Sequence, residues 1–165
     1  MMSMKTPALL LLACATFALL AAGNADARGC KPFHVKVIDT PAPQGCPTFF
    51  CTSGLIEGNH GLRGTIDATF DSYAASPSTT PEPGRTNSFS SVSVITTARG
   101  TLTARETLIA STQALDPKRR MFAGFAEFTG GTGAYAGATG YFQFGGRQHG
   151  GVNVTDTMVG QICLP

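Results

Sequence analysis

The sequence predicts an all-β domain whose antiparallel strands form a barrel or a sandwich. Apolar and polar residues alternate with a period of two along most of the chain after residue 27, as in strands with one buried face. Turn residues separate these segments at short intervals, and no segment has the period of an amphipathic helix. Many short strands joined by turns are typical of antiparallel barrels and sandwiches.

The first 27 residues have the three parts of an export signal. Lys5 supplies a positive charge, residues 8–22 form an apolar run interrupted only by Thr16, and residues 25–27 read Ala-Asp-Ala, the pattern of a signal peptidase site. The run is shorter than the roughly 20 apolar residues of a membrane-spanning helix, so no stable membrane insertion is expected. We therefore predict a cleaved signal, a single domain over residues 28–165, and a secreted or periplasmic protein.

A lipoprotein cleavage box is the alternative interpretation of this segment. Residues 11–14 read Leu-Leu-Ala-Cys and end at Cys14. Cleavage before Cys14 would leave only a stub of the apolar run in the signal, because further hydrophobic residues follow the cysteine. The sequence therefore favours a cleaved signal over a lipid anchor at Cys14.

Four cysteines remain after the predicted signal, an even number in an oxidising compartment. Cys46 and Cys51 enclose a short loop, whereas Cys30 and Cys163 stand near the two ends of the domain. Four cysteines allow three connectivities, of which we favour Cys46–Cys51 with Cys30–Cys163. A bridge between the ends would stabilise the fold by about 4–5 kcal/mol in the chain-entropy model.

The predicted strands follow one another along the chain with short connections. Two of them share residues 91–110, which are rich in β-branched side chains, and meet near residues 98–100. Turns are expected at residues 58–61, 116–119 and 145–151. The other predicted strands cover residues 33–39, 49–57, 62–70, 121–128, 139–146 and 151–164.

Residues 76–88 interrupt this alternation with three prolines and a polar composition. Proline cannot donate to a strand ladder, and the segment has no apolar period, so a central strand is excluded. The segment is predicted to be a long loop. It is either a disordered excursion, which its composition favours, or a flap over the mouth of a barrel.

A glycine-rich stretch at residues 128–144 raises the question of a phosphate-binding loop. The third glycine of a dinucleotide fingerprint is displaced by one place, no lysine follows the last glycine, and an alternating strand follows instead of a helix. We therefore interpret the stretch as a tight turn between two strands. The turn glycines are Gly130, Gly131, Gly133, Gly137 and Gly140.

Charge and histidine spacing argue against several functional classes. The formal net charge is +2 and the one basic cluster is short (residues 118–120), so nucleic-acid binding is not indicated. His34, His60 and His149 lack the spacing of metal ligands, and no cofactor motif is present. With both disulfides formed, no cysteine remains as a nucleophile, and hydrolase motifs are missing.

Two carboxylates, Glu106 and Asp156, lie on otherwise apolar faces of predicted strands. If these faces line a barrel, loss of solvent raises both pKa values, and such a carboxyl can act as a general acid or base. Both are therefore candidate catalytic residues. Their apolar neighbours are Leu102, Ala104, Leu108 and Ala110 for Glu106, and Val152, Val154, Met158 and Ile162 for Asp156.

Glu127 is a further candidate, on the face that also carries Met121, Ala123 and Phe125. Structural ion pairs are the favoured alternative for these acids, since such pairs also perturb pKa values. A second alternative is an outward apolar face that contacts a partner subunit around a polar lumen. The basic residues considered as ion-pair partners are Arg63, Arg99 and Arg105.

Residues 122–144, with Gly-Gln-Ile-Cys-Leu-Pro at residues 160–165, resemble the allene oxide cyclase-like and dirigent-like barrel group. Members of this group share a strand, a turn of the form G-G-T-G-x-(Y/F)-x-x-A-x-G, and a second strand. The resemblance follows the strand order over residues 50–165, and its distinctive block is residues 124–144. It implies an eight-stranded, calycin-like antiparallel barrel with an apolar cavity, here stapled by disulfides.

The resemblance also implies candidate functions. Its plant members guide ring closure or radical coupling, its bacterial members include pericyclic cyclases, and many secreted bacterial members have no assigned activity. We expect this chain to belong with the last. The plant cyclases use a Glu and an Asn two residues apart, a spacing that Glu57 and Asn59 reproduce, so Glu57 is another catalytic candidate.

Two functional hypotheses follow, and the fold alone does not choose between them. The one we favour is a secreted barrel that binds a small apolar molecule, or contributes to self-assembly as a homo-oligomer, without catalysis. The other is a cofactor-independent cyclase or isomerase in which Glu106 or Asp156 moves a proton and the cavity orients the substrate. A purely structural barrel with a filled lumen is a third possibility.

Overall fold

The structure is a computed structural model in which four segments of the chain are described. They are residues 29–75, 85–113, 116–150 and 152–165, with the side chains of residues 112, 113, 116 and 117 excepted. The predicted export signal at residues 1–27, which includes Cys14, lies outside them. Residues 76–84 of the predicted loop also lie outside them.

Eight strands and one turn of 3-10 helix make up the described fold. The strands are β1 (Cys30–Pro41), β2 (Phe50–Gly58), β3 (Arg63–Ala75), β4 (Thr86–Thr97), β5 (Gly100–Gln113), β6 (Asp116–Gly131), β7 (Thr139–His149) and β8 (Asn153–Cys163), and the helix is η1 (Gly133–Tyr135). No helix in the described segments is long and apolar enough to cross a membrane.

The strands form a closed antiparallel barrel in chain order. Each strand pairs with the next, and β1 pairs with β8 to close the sheet. Inward residues of each strand are buried while their neighbours face solvent, as Val35 and Val37 of β1 alternate with the exposed Lys36. The predicted all-β fold is therefore confirmed as an eight-stranded barrel, and the sandwich alternative is wrong.

Three segments predicted as turns or loop belong to strands instead. Residues 116–119 begin β6, residues 86–88 begin β4, and residues 147–149 continue β7. Gln148, for example, lies directly opposite Val154 of β8. Turn-forming residues or a polar composition suggested turns and a loop, but outward positions of an antiparallel strand face solvent and accept polar residues equally well.

Apolar side chains close the barrel at the end where β2 leads to β3, β4 to β5 and β6 to β7, which we call the closed end. The rings of Phe33, Phe128 and Phe142 lie against one another there, with centroids 5.2, 5.8 and 5.9 Å apart. Leu62, from the turn after β2, and Tyr135, from η1, are also almost fully buried. Full burial of each such side chain contributes about 1.5–3 kcal/mol, so this end forms the packed core.

The glycine-rich stretch forms the connection from β6 to β7 at the closed end. Ala134 donates a backbone hydrogen bond of 2.8 Å to the carbonyl oxygen of Arg99, which fastens this connection to the turn between β4 and β5. The Arg99 guanidinium also lies 5.6 Å from the centroid of the Tyr135 ring. Of the predicted turn glycines, positive φ angles occur at Gly130, Gly133, Gly137 and Gly140, while Gly131 lies close to the carbonyl oxygen of Thr101.

Two disulfides pair the cysteines in the way that their spacing favoured. Cys30 and Cys163 join the start of β1 to the end of β8 at the closed end, and they lie opposite each other in the sheet. Cys46 and Cys51 close the loop between β1 and β2 at the other end. Because disulfides persist in oxidising surroundings, the two bridges indicate such an environment for this protein.

Candidate ligand-binding cavity

The half of the barrel away from the closed end contains a cavity of about 790 Å³. It lies at the end where β1 leads to β2, β3 to β4, β5 to β6 and β7 to β8, which we call the open end. All eight strands contribute side chains to its wall, because alternate residues of each strand point into the barrel. The apolar wall includes Ile66, Phe70, Leu108, Phe122, Phe144 and Met158.

Aromatic rings line the cavity where β2, β3 and β4 approach the open end. The centroids of Phe50 and Phe70 are 5.0 Å apart, and Phe70 meets Phe89 edge to face at 5.9 Å. Tyr73 lies 5.3 Å from Phe89 and 6.4 Å from Phe49. These contacts hold the rings as a continuous apolar surface, which suits an apolar ligand.

Three carboxyl groups line the cavity among these apolar residues. Asp39 comes from β1, Glu106 from β5 and Asp156 from β8, and we call them the carboxyl cluster. Burial is the largest cause that raises the pKa of Glu106 and of Asp156; repulsion from Asp39 raises both further, and repulsion from Glu106 also raises that of Asp156. Like charges in a shared, partly dry site disfavour ionisation, so the cluster tends to hold protons.

Glu106 is the most buried member of the cluster, with 4% of its surface exposed. Loss of solvent raises the pKa of its carboxyl above the ordinary value. Ser91, its partner across the ladder, donates a hydrogen bond of 2.7 Å to Oε2. Ser93 also faces the carboxyl and, like Ser91, lowers the pKa of Glu106, although its hydroxyl lacks the geometry of a well-formed hydrogen bond.

Asp156 titrates near neutrality. Burial is the largest cause and raises the pKa of Asp156 to about 7. The backbone N–H groups of Gly145 and Thr157 oppose this shift by favouring the charged carboxylate, and Gly145 donates to Oδ1 at 3.0 Å. The cavity therefore contains a carboxyl that exchanges protons near neutral pH.

Asp39 is a member of the cluster that the sequence analysis missed. Burial raises the pKa of Asp39, while a hydrogen bond from Thr52 lowers it. One of its oxygens, Oδ1, is buried and has no hydrogen-bond partner. The signal was present in the alternation of β1, because Asp39 follows Val35 and Val37 on the inward face.

Two of the predicted carboxylates lie outside the cavity. Glu57 faces solvent on β2 and forms an exposed ion pair with Arg63. Glu127 is exposed on β6, because the inward face of that strand carries Ala126 and Phe128 instead. Neither side chain lies near Glu106 or Asp156. The two-residue spacing of Glu57 and Asn59 and the alternation around Glu127 therefore did not predict a position in the cavity.

The predicted ion-pair partners also lie outside. Arg105 pairs with Asp71 on the outer surface of the barrel, and Arg99 donates to the carbonyl oxygen of His60 at 3.3 Å. With Arg63 bound to Glu57, none of the three arginines pairs with Glu106 or Asp156 in the described residues. The ion-pair alternative for these two carboxyls is therefore wrong.

Basic side chains lie at the open end of the cavity and not beside the cluster. Lys118 and Arg120, near the start of β6, line the cavity there. Neither is among the causes that change the pKa of any cluster carboxyl. The part of the chain that the structure describes contains no group of three or more His, Cys, Asp or Glu side chains arranged to hold a metal ion.

No family model, curated protein or solved structure matches this chain. A functional proposal therefore rests on the chemistry of the cavity itself. Its apolar wall can desolvate a ligand, and its carboxyls can donate or accept hydrogen bonds according to their protonation. A carboxyl that titrates near neutrality can also transfer a proton to or from a bound molecule.

Proposed function

We propose that this protein binds a small, largely apolar molecule in the open half of its barrel. The observation that carries the proposal is the cavity of about 790 Å³, with an apolar wall and a few convergent polar groups. Small-molecule sites are typically concave spaces of about 300–1,000 Å³ with this composition. A filled structural barrel would instead have packed side chains throughout its interior.

The disulfides support a protein that acts outside the cytoplasm, as a secreted or periplasmic binding protein would. We extend the proposal to the allene oxide cyclase-like and dirigent-like barrel group, on the strength of the turn sequence at residues 130–140 and the eight-stranded closed barrel. Members of a fold differ in function, so the ligand is argued from the cavity and not from that likeness.

A second candidate function is acid–base isomerisation or cyclisation without a cofactor. The specific observation that favours it is Asp156, whose pKa is raised to about 7 and whose carboxyl lines the cavity. A general acid or base works best when its pKa lies near the operating pH. Glu106 would assist from across the barrel, and the aromatic wall would fold a flexible substrate into a reactive conformation.

Native mass spectrometry of the protein purified from its own host tests the binding function. The mass is measured before and after extraction with organic solvent, for the natural chain and for two matched variants. Ala110→Leu fills the cavity from β5, whereas Ala123→Leu places the same side chain on the outer surface of β6. We expect an extractable apolar compound on the natural chain and on Ala123→Leu, and much less of it on Ala110→Leu.

A bare mass for all three proteins, before and after extraction, would contradict a retained ligand. If a compound is released, its conversion by the protein separates binding from catalysis. Catalysis requires that Asp156→Asn abolishes conversion while the compound still binds, and that Glu57→Gln, on the outer surface, has no effect. Equal conversion by all variants would contradict the role of Asp156 in catalysis, and no conversion by the natural chain leaves binding as the function.

A further inference from the structure

The carboxyl cluster defines the chemistry of the ligand more closely. Resting on the proposed binding function, we infer that the ligand is an apolar molecule carrying a protonated amine, which lies between Asp39 and Asp156 while the apolar part contacts the aromatic wall. The positions of these carboxyls, their unsatisfied atoms and the charges around them support this assignment.

The two aspartates are placed to share one cationic group. Asp39 lies directly opposite Val154 in the pairing of β1 with β8, and Asp156 is two residues further along β8. The two carboxyls are therefore diagonal neighbours on the inner face of one strand pair, at backbone separations of about 7–8 Å. An ammonium group between them reaches both with ordinary hydrogen bonds, and Glu106 faces the same space from β5.

Unsatisfied buried atoms show that this part of the cavity lacks hydrogen-bond partners. Asp39 Oδ1 is buried and accepts no hydrogen bond. The Ser93 side chain is fully buried, and its hydroxyl faces the Glu106 carboxyl without a well-formed hydrogen bond. Orphaned buried acceptors are costly and call for a donor. An ammonium supplies three donors, whereas an ether, ester or ketone supplies none.

The charges around the cluster favour a cation over an anion. Among the described side chains, the charged and titratable groups that face Asp156 are Asp39 from β1 and Glu106 from β5, with Tyr73 from β3 and Lys118 and Arg120 from β6 nearer the open end. None of the basic groups lowers the pKa of a cluster carboxyl. A buried carboxylate without a counter-charge is strongly disfavoured, and a bound ammonium supplies that charge.

Amine binding is therefore linked to the ionisation of Asp156. An ammonium favours the carboxylate form, so binding displaces the proton that burial otherwise retains. Affinity is expected to increase as the pH rises through about 7, by about tenfold between about pH 6 and about pH 8. A ligand that accepts a hydrogen bond from a protonated carboxyl, or one that carries a negative charge, has the opposite dependence.

Isothermal titration calorimetry with decylamine, decanol and decanoate tests the assignment, since each probe is an unbranched molecule of ten carbons and the three differ in the head group. We expect decylamine to bind most tightly and to show the tenfold increase with pH. Binding by decanol or decanoate in preference to decylamine would overturn the amine assignment and leave the cavity a binding site. Failure of all three to bind would overturn both the assignment and the proposed function.

A pair of matched variants identifies the group that responds to pH. Asp156→Asn keeps an acceptor for the Gly145 N–H but cannot ionise, so we expect decylamine to bind at least tenfold more weakly at about pH 8, with little pH dependence. Asp67→Asn changes an exposed aspartate on β3 and is expected to behave as the natural chain. An undiminished pH dependence in Asp156→Asn would contradict the inference, and a circular dichroism spectrum establishes that each variant is folded.

Discussion

The carboxyl of Asp156 couples the stability of the barrel to pH. Burial raises its pKa to about 7 in the folded chain, whereas an aspartate in an unfolded chain has a pKa near 4. The folded state therefore binds a proton more tightly than the unfolded state does. Stability from this group is fully present below about pH 4 and is lost progressively as the pH rises to about 7, by up to about 4 kcal/mol.

Asp156→Asn is predicted to remove this loss, because the amide cannot ionise. The free energy of unfolding of the variant should increase relative to that of the natural chain as the pH rises. The difference between the two proteins should change by about 2–4 kcal/mol in favour of the variant from about pH 4 to about pH 8. Urea unfolding at several pH values measures the difference. Asp67→Asn, on the outer surface, is the control, and a difference for Asp156→Asn that does not change with pH would contradict the prediction.

Single residues also show how far periodicity can locate a site. Alternation in β5 and β8 placed Glu106 and Asp156 on inward faces, and both line the cavity. The same reasoning put Glu127 on the wrong side, because Phe125 beside it is apolar yet exposed. An alternating strand specifies two faces but does not say which one is enclosed, particularly where both carry apolar residues.

The connection between β6 and β7 depends on backbone that glycine alone adopts easily. Gly133 begins η1 with a φ of +60°, and a Cβ at this position would collide with the carbonyl oxygen of Arg99. Gly45, in the loop between β1 and β2, has a similar φ of +73° but open space where a Cβ would lie. Substitutions at the two positions therefore separate the cost of the left-handed backbone conformation from the cost of a steric collision.

Gly133→Ala is predicted to destabilise the barrel more than Gly45→Ala. Both substitutions force alanine into the left-handed region, at a cost of about 1–2 kcal/mol. Gly133→Ala adds the displacement of neighbouring backbone, about a further 1–3 kcal/mol. Urea unfolding curves of the two variants compare them directly. Equal losses of stability would show that the connection moves aside without cost.

The disulfide between β1 and β8 is predicted to contribute more stability than the local bridge. Cys30 and Cys163 are 133 residues apart, whereas Cys46 and Cys51 are 5 apart. In the chain-entropy model the first bridge contributes about 5 kcal/mol and the second about 2 kcal/mol. Paired serine substitutions, compared by thermal and urea unfolding, measure both. A larger loss from removing the local bridge would contradict the prediction.

At the scale of the whole molecule, the packed core and the cavity lie at opposite ends of one barrel. Phe142 at the closed end is fully buried and contacts Phe33, Phe128 and Phe144. Phe89 at the open end is partly exposed and lines the cavity. The closed end can therefore hold the strands in register while the open end retains space for a ligand.

Truncating each of these rings is predicted to affect a different property. Phe142→Ala leaves a void in the packed end and should lower the free energy of unfolding by about 3–5 kcal/mol. Phe89→Ala only enlarges an existing cavity, so its cost should be about 1–2 kcal/mol while decylamine binding weakens. Urea unfolding and calorimetry measure the two effects. An equal loss of stability at both sites would show that the open half is packed as tightly as the closed half.

The sequence by itself determined the all-β class, the alternating faces of most strands and the preferred pairing of the cysteines, because these depend on local spacing and chain position. It did not determine how far the strands extend into polar segments, since outward strand positions and turns accept the same residues. The barrel was one of two architectures that the same alternation allowed.

Only the tertiary structure decided that Asp39, Glu106 and Asp156 share one cavity. Their meeting depends on closure of β1 against β8 and on the register of that pairing, in which Asp39 faces Val154. It also decided that η1 and its neighbours close one end, while the described residues leave a cavity toward the other. Long-range pairing and side-chain volume determine these features, and neither is encoded in the period of an individual strand.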